Sequence, residues 1–247
     1  IEKEFFGGVC VNTGCVPTKA YVASARRAWS AKNSAELGVE TNEIKVSLKK
    51  INARKNRFVE DAASSIEKKL REAKNITVYK GAAKFKDNHT VLIGNEELKG
   101  DRIFINTGAR PRQPDNFTKG SYLTNREILE LTHIPGHLIV VGGSYIGLEF
   151  GQLFHRLGSK VTIIEMNDHL ISREDEEISV EVARFLQESG IELRLGFECL
   201  KGYHEKGKAV IELDCNEDQK ITGTHILAAI GRVPNSDNLG LEHTDIV

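Results

Sequence analysis

Apolar residues change their spacing along this chain, and each change predicts a different kind of element. In residues 17–38 (PTKAYVASARRAWSAKNSAELG) Tyr21, Val22, Ala25 and Trp29 recur at helical spacing. Pro17 suits a first helical position and Gly38 a stop, so this segment is expected to be a helix. Residues 46–73 place Leu48, Ile51, Phe58, Ala62, Ile66 and Leu70 three or four apart among many charges, the pattern of a long surface helix. The period then shortens. Residues 75–111 are β-rich, broken by turns at Asp87-Asn88, Gly94-Asn95 and Gly100-Asp101, and predict a small sheet ending in a buried strand over 102–106.

From Ile128 onward strands and helices alternate: HLIVVGG, SYIGLEFGQLFHRLG, KVTIIE, DEEISVEVARFLQESG and IELRLG read as βαβαβ. That order implies an α/β fold with a parallel sheet, which KAVIELD and HILAAIG are expected to close. A stretch with little periodicity, residues 115–128, separates the two halves.

Within the second half, VVGGSYIGLEFG follows a strand and opens a helix, the placement a dinucleotide fingerprint requires. Gly142 permits the tight turn, Gly147 lets the helix approach the strand, and the helix N-terminus offers N–H groups to a pyrophosphate. Ser144 stands at the middle position, where glycine is usual. Glu165 ends the next strand about 20 residues on, where a carboxylate bonds ribose hydroxyls. A carboxylate there repels a 2′-phosphate, and the following MNDH contains no arginine, so NADH is favoured over NADPH.

Composition narrows the classes. The 247 residues are 40% hydrophobic and 28% charged with a formal net charge of −1, which gives no field to gather nucleic acid or an anionic membrane surface. The apolar runs fall well short of the ~20 residues of a bilayer span, and a cytoplasmic location is the expectation. The chain opens on IEKEFF, which reads like the end of a strand, so a piece of something longer is expected.

Cys10 and Cys15 stand five apart in FFGGVCVNTGCVPTK. Five residues along a regular helix separate Cα atoms by roughly 8 to 9 Å, beyond the ~7 Å limit for a disulfide, so bonding requires a bent backbone, which Asn12, Thr13 and Gly14 tolerate. A redox couple, a metal site and two inert buried thiols are the alternatives. The eight histidines are scattered singly, which disfavours metal, and Cys15 at a helix start is expected to lean toward thiolate. Cys199 and Cys215 read as small apolar filler.

With GGVCVNTGCVPTK and GGSYIGLEFG in one chain, the sequence resembles the class I pyridine nucleotide-disulfide oxidoreductases, which include dihydrolipoamide dehydrogenase, glutathione reductase and mercuric reductase. The resemblance implies two Rossmann-like domains: residues 1–127 as an FAD domain lacking its first fingerprint, 128–233 as the NAD domain, and 234–247 as a return toward the FAD domain. It implies that Cys10 is the thiol that exchanges with substrate and Cys15 the thiol in charge-transfer contact with the flavin. Lys19 would lie near the flavin N5 and pair with Glu149, and Tyr145 would gate the nicotinamide side. FAD contacts are implied for Glu2, Gly8, Lys19, Gly81, Thr107, Gly108 and Ala109, and nicotinamide-nucleotide contacts for Gly142, Ser144, Gly147, Glu165 and Gly231. The activity implied is electron transfer from NAD(P)H through FAD to a small disulfide, dithiol or metal ion, in a homodimer. A non-catalytic NAD-binding fragment of such an enzyme is the alternative.

Overall fold

The computed structural model describes residues 1–198, 200–214, 216 and 218–246, so Cys199 and Cys215 lie outside the described residues. The chain begins with a short helix α1 (Gly8–Asn12), followed by α2 (Cys15–Lys32) and the long α3 (Leu48–Glu72). A three-stranded antiparallel sheet comes next, β1 (Ala83–Asp87), β2 (Thr90–Ile93) and β3 (Glu96–Lys99), and then the short β4 (Ala109–Pro111). The expected βαβαβ run is present as β5 (His137–Val141), α4 (Tyr145–Leu157), β6 (Lys160–Glu165), α5 (Glu176–Glu188) and β7 (Glu192–Leu195). After it come β8 (Leu200–Glu205), β9 (Lys208–Leu213), β10 (Lys220–Gly223), β11 (His225–Ala228) and β12 (Arg232–Pro234).

The parallel sheet runs β11-β5-β6-β7, with Val140 opposite both Leu227 and Ile163. Its side chains alternate between two apolar layers, as strands covered on both faces require. Leu138, Val140, Val161 and Ile163 pack with Phe150, Leu153 and Phe154 of α4 and Leu186 of α5. Ile139, Val141 and Ile164 point the other way, onto Ala209, Ile211 and Leu213 of β9.

Three sequence expectations are corrected. KAVIELD does not close the parallel sheet: β9 is the centre of a separate antiparallel sheet β10-β9-β8. Lys206 and Gly207 both have positive φ, 48° and 76°, which suits a two-residue hairpin and folds β8 back on β9. Residues 102–106 form no strand, and Phe104 is 81% exposed. Their apolar run is strand-like, but no neighbouring strand pairs with it among the described residues. The helix expected over 17–38 begins at Cys15 and ends at Lys32, and Gly38 (φ 75°) instead caps the 3-10 turn Ser34–Leu37.

The N-terminal helices are tied to the second half by a buried polar knot. Tyr21 of α2 is fully buried and donates its hydroxyl to the Leu129 carbonyl at 3.0 Å, and Asn52 of α3 donates to the same oxygen at 2.9 Å. Burial pushes the Tyr21 phenol up to about 12, so it stays a donor throughout the physiological range. Next to it, the buried Lys55 ammonium reaches Glu130 at 2.6 Å. Leu129 keeps its second donor when Tyr21 loses its hydroxyl, so Tyr21→Phe is expected to cost only about 1 kcal/mol, read as a lower urea midpoint at unchanged slope. A loss several times larger would show that the two hydrogen bonds do not act independently.

Candidate active site

The cysteine turn is bent at Gly14. Cys10 lies in α1 and Cys15 opens α2, and between them Gly14 (φ −129°, ψ −112°) turns the chain so tightly that a Cβ there would sit 2.9 Å from the Val9 carbonyl oxygen. Side-chain amides hold the bend: Asn12 Nδ2 donates to the carbonyls of Phe6 (3.0 Å) and Gly8 (2.8 Å), and Asn125 Nδ2 donates to the Thr13 carbonyl at 2.6 Å. Both thiols are free and exposed on this one turn. The neighbouring Cys10 side chain pushes the Cys15 thiol up, with burial adding to it, while the helix-start N–H and Lys19 pull the other way and are outweighed. The expected bias of Cys15 toward thiolate is thereby corrected, because the neighbouring sulfur wins over the helix end.

One turn beyond Cys15, Lys19 forms an ion pair with Glu149 of α4, 130 residues away in sequence. Tyr145, one turn before Glu149 and 55% exposed, donates its hydroxyl to Glu174, and this bond raises its pKa. Cys15, Lys19, Glu149 and Tyr145 thus follow one another across the α2–α4 contact.

The glycine-rich loop lies at the N-terminus of α4. Gly142 has φ 112°, and a Cβ at Gly147 would collide with the Gly142 carbonyl oxygen, so the helix is held against the strand end. Ser144 is the N-cap residue with extended backbone (φ −98°, ψ −178°), a conformation any residue adopts, and it is exposed. Its substitution for the usual glycine costs no backbone strain. Glu165 is buried at the end of β6; one carboxylate oxygen accepts from the Gly143 N–H at 2.5 Å and the other from Asn167 N and Nδ2 at 3.0 and 2.7 Å. The carboxylate is therefore oriented at the loop, with lone pairs left over.

The remaining candidates fall in two groups. Glu2 and Gly81 are neighbours through backbone bonds, Glu2 N to Tyr79 O and Gly81 N to Glu2 O, both 3.0 Å. Thr107, Gly108 and Ala109 are clamped to the segment around β12: Asn235 Nδ2 donates to the Thr107 carbonyl, Asn235 N to that of Gly108, both at 3.0 Å, and Ala109 pairs with Pro234. Gly231, with φ 111°, accepts from the Arg112 N–H at 2.9 Å. A Cβ at Gly108 would lie 4.0 Å from Val9, next to Cys10, so this second group abuts the cysteine turn. The structure does not link Glu2 and Gly81 directly to the thiols.

The family model described as "Pyridine nucleotide-disulphide oxidoreductase" matches residues 1–246. The chain belongs to this family. It is 36% identical over 245 residues to a mercuric reductase of Lysinibacillus sphaericus, covering 98% of this chain and 45% of that protein. It is 35% identical over 250 residues to a dihydrolipoyl dehydrogenase of Acholeplasma laidlawii, covering 98% and 73%. Among solved structures, the Cu(II) complex of the HOCl-induced flavoprotein disulfide reductase RclA of Escherichia coli matches at TM-score 0.86 and 30% identity, covering 100% of this chain and 53% of that one. The A. laidlawii protein excepted, the chain spans about half the length of these relatives.

The residues of this pyridine nucleotide-disulphide oxidoreductase family member fit the family's two nucleotides. For the nicotinamide dinucleotide, the fit is the uncapped N-terminus of α4 facing an oriented Glu165. For FAD, the fit is the uncovered backbone of Gly8 and Gly108, both with positive φ and both exposed beside the thiols. Three further polar residues, Asn125, Glu174 and Asn235, hold this site together without any sequence signal of their own. Because Cys10 is the first cause of the raised Cys15 pKa, Cys10→Ala is expected to let Cys15 ionise at lower pH, measured by the ultraviolet absorbance of the thiolate. An unchanged or higher titration point would show that burial, not Cys10, sets it.

Proposed function

We propose that this chain carries the thiol pair and nucleotide sites of an FAD-dependent oxidoreductase that passes electrons from NADH through Cys10 and Cys15 to a small disulfide or metal ion, or in the reverse direction from a small dithiol to NAD+. The observation that supports this most is the tight Gly14 bend that sets two free, exposed thiols on one turn, at the foot of a helix whose Lys19 is paired with the helix of the nucleotide loop. In this reading residues 1–127 contribute the FAD side through Glu2, Gly8, Lys19, Gly81, Thr107, Gly108 and Ala109. Residues 128–233 hold NADH through Gly142, Ser144, Gly147, Glu165 and Gly231, and 234–247 return to the FAD side. FAD, when bound, supplies the two-electron carrier between NADH and the thiols.

The chain's own residues do the sulfur chemistry. Cys10 loses its proton and attacks one sulfur of a disulfide acceptor, and the other sulfur leaves as a thiol after taking a proton. Cys15, deprotonated with the Lys19 ammonium one turn away, then attacks the Cys10 sulfur, releasing the second thiol and closing a Cys10–Cys15 disulfide. Two electrons and two protons pass to the acceptor, and NADH with one proton restores the dithiol. Glu149 orients Lys19, and Tyr145 stands where it can cover or admit the nicotinamide. The acceptor classes come from the relatives, which are named a mercuric reductase and dihydrolipoyl dehydrogenases. The oriented Glu165 favours NADH over NADPH, and a cytoplasmic homodimer completes the proposal. Similarity over both halves of the chain favours this reading over a nucleotide-holding fragment.

The test is a thiol count. After oxidation and addition of FAD, one equivalent of NADH is expected to release two thiols per chain, NADPH fewer at the same concentration, and neither Cys10→Ser nor Cys15→Ser any pair. Release of no thiols by NADH in flavin-loaded protein would contradict the assignment.

A further inference from the structure

A groove of about 390 Å³ runs along α4 between α2 and α5. Its walls are apolar, with Val22, Leu148, Ile171, Val182 and Phe185 among them. Glu149 and Tyr145 line one end, where their polar groups are already engaged by Lys19 and Glu174. The other end carries two guanidinium groups, Arg26 of α2 and Arg156 of α4. Tyr145 and Arg156 are eleven residues apart, about 16 Å of helix rise, so the arginine end is well separated from the nucleotide loop.

Arg184 has Glu181 and Glu188, and Lys55 has Glu130, but neither Arg26 nor Arg156 forms an ion pair with a carboxylate among the described residues. Arg156 is half-buried, and both burial and the nearby Arg26 disfavour its charge, with no acid acting in the opposite direction. Packing holds two like charges together at the mouth of an apolar groove, and an anion is the partner that would relieve the repulsion. We propose that this groove binds an amphipathic anion, its acidic head on Arg26 and Arg156 and its apolar body along α4. The arginine end lies apart from the thiol and nucleotide chemistry proposed above, while the other end shares Tyr145 and Glu149 with it, so a bound molecule has a route to Lys19.

The single tryptophan reports on the site. Trp29 lies one turn beyond Arg26 with its ring 5.7 Å from that of His155, next to Arg156 in sequence. Titration of the 247-residue chain with decanoate is expected to change Trp29 fluorescence saturably, below the onset of micelles, with acetate and decanol much weaker because each lacks half the chemistry. Arg26→Gln and Arg156→Gln are each expected to weaken decanoate binding about tenfold, as loss of one charge-assisted contact does. Both positions are partly exposed, and an unchanged circular dichroism spectrum would certify the folded variants; Arg26→Lys, which keeps the charge, is expected to lose less than Arg26→Gln. Equal binding of decanol and decanoate, unaltered affinity in both glutamine variants, or a Trp29 signal that depends on protein concentration without ligand would overturn the proposal. The last outcome would assign the groove to a second copy of the chain.

Discussion

The contact between α2 and α4 constrains everything at the candidate site, because it joins two segments that sequence separates by more than a hundred residues. Buried Tyr21 and Ala25 on one helix, and Phe150, Leu153 and Phe154 on the other, place them in one apolar core. The Lys19–Glu149 pair closes the polar edge of that contact. Both partners are partly exposed, so the pair itself adds little stability, and the apolar layer fixes the geometry. Its value is positional: an ammonium is held one turn from Cys15 and a carboxylate one turn from Tyr145.

On either side of this contact, backbone rather than side chains sets the chemistry. Gly14 allows the chain to double back so that two cysteines five residues apart share one turn, and Gly147 allows α4 to approach the end of β5, beside the loop whose Gly143 N–H Glu165 accepts. Both are places where a single methyl group would collide with a carbonyl oxygen. The bend also has an electrostatic consequence, since the neighbouring Cys10 resists ionisation of Cys15.

Much of this was legible in the sequence because it is periodic or local. The βαβαβ run, both long helices, the glycine loop and Glu165 lie where hydrophobic spacing and motif placed them. What could not be read depends on partners distant in sequence. The run Ile103-Phe104-Ile105 looks like a buried strand, yet a strand exists only with a neighbour to pair with. The β8–β9 hairpin was concealed because its turn, Lys206-Gly207, follows a segment with weak alternation. Asn125, Glu174 and the polar knot of Tyr21, Asn52 and Leu129 have no sequence signature, since a single amide or carboxylate acquires a role only from the backbone group it meets.

The central claim is that the Gly14 bend makes Cys10 and Cys15 a reversible couple. Peptide mass mapping after mild oxidation by a small disulfide tests it most directly. The account predicts one dominant product, a peptide two hydrogens lighter with Cys10 and Cys15 bonded to each other, fully reversed by a dithiol reductant. Two intact thiols, or mixed disulfides that persist on Cys10 and Cys15 without closing, would contradict it.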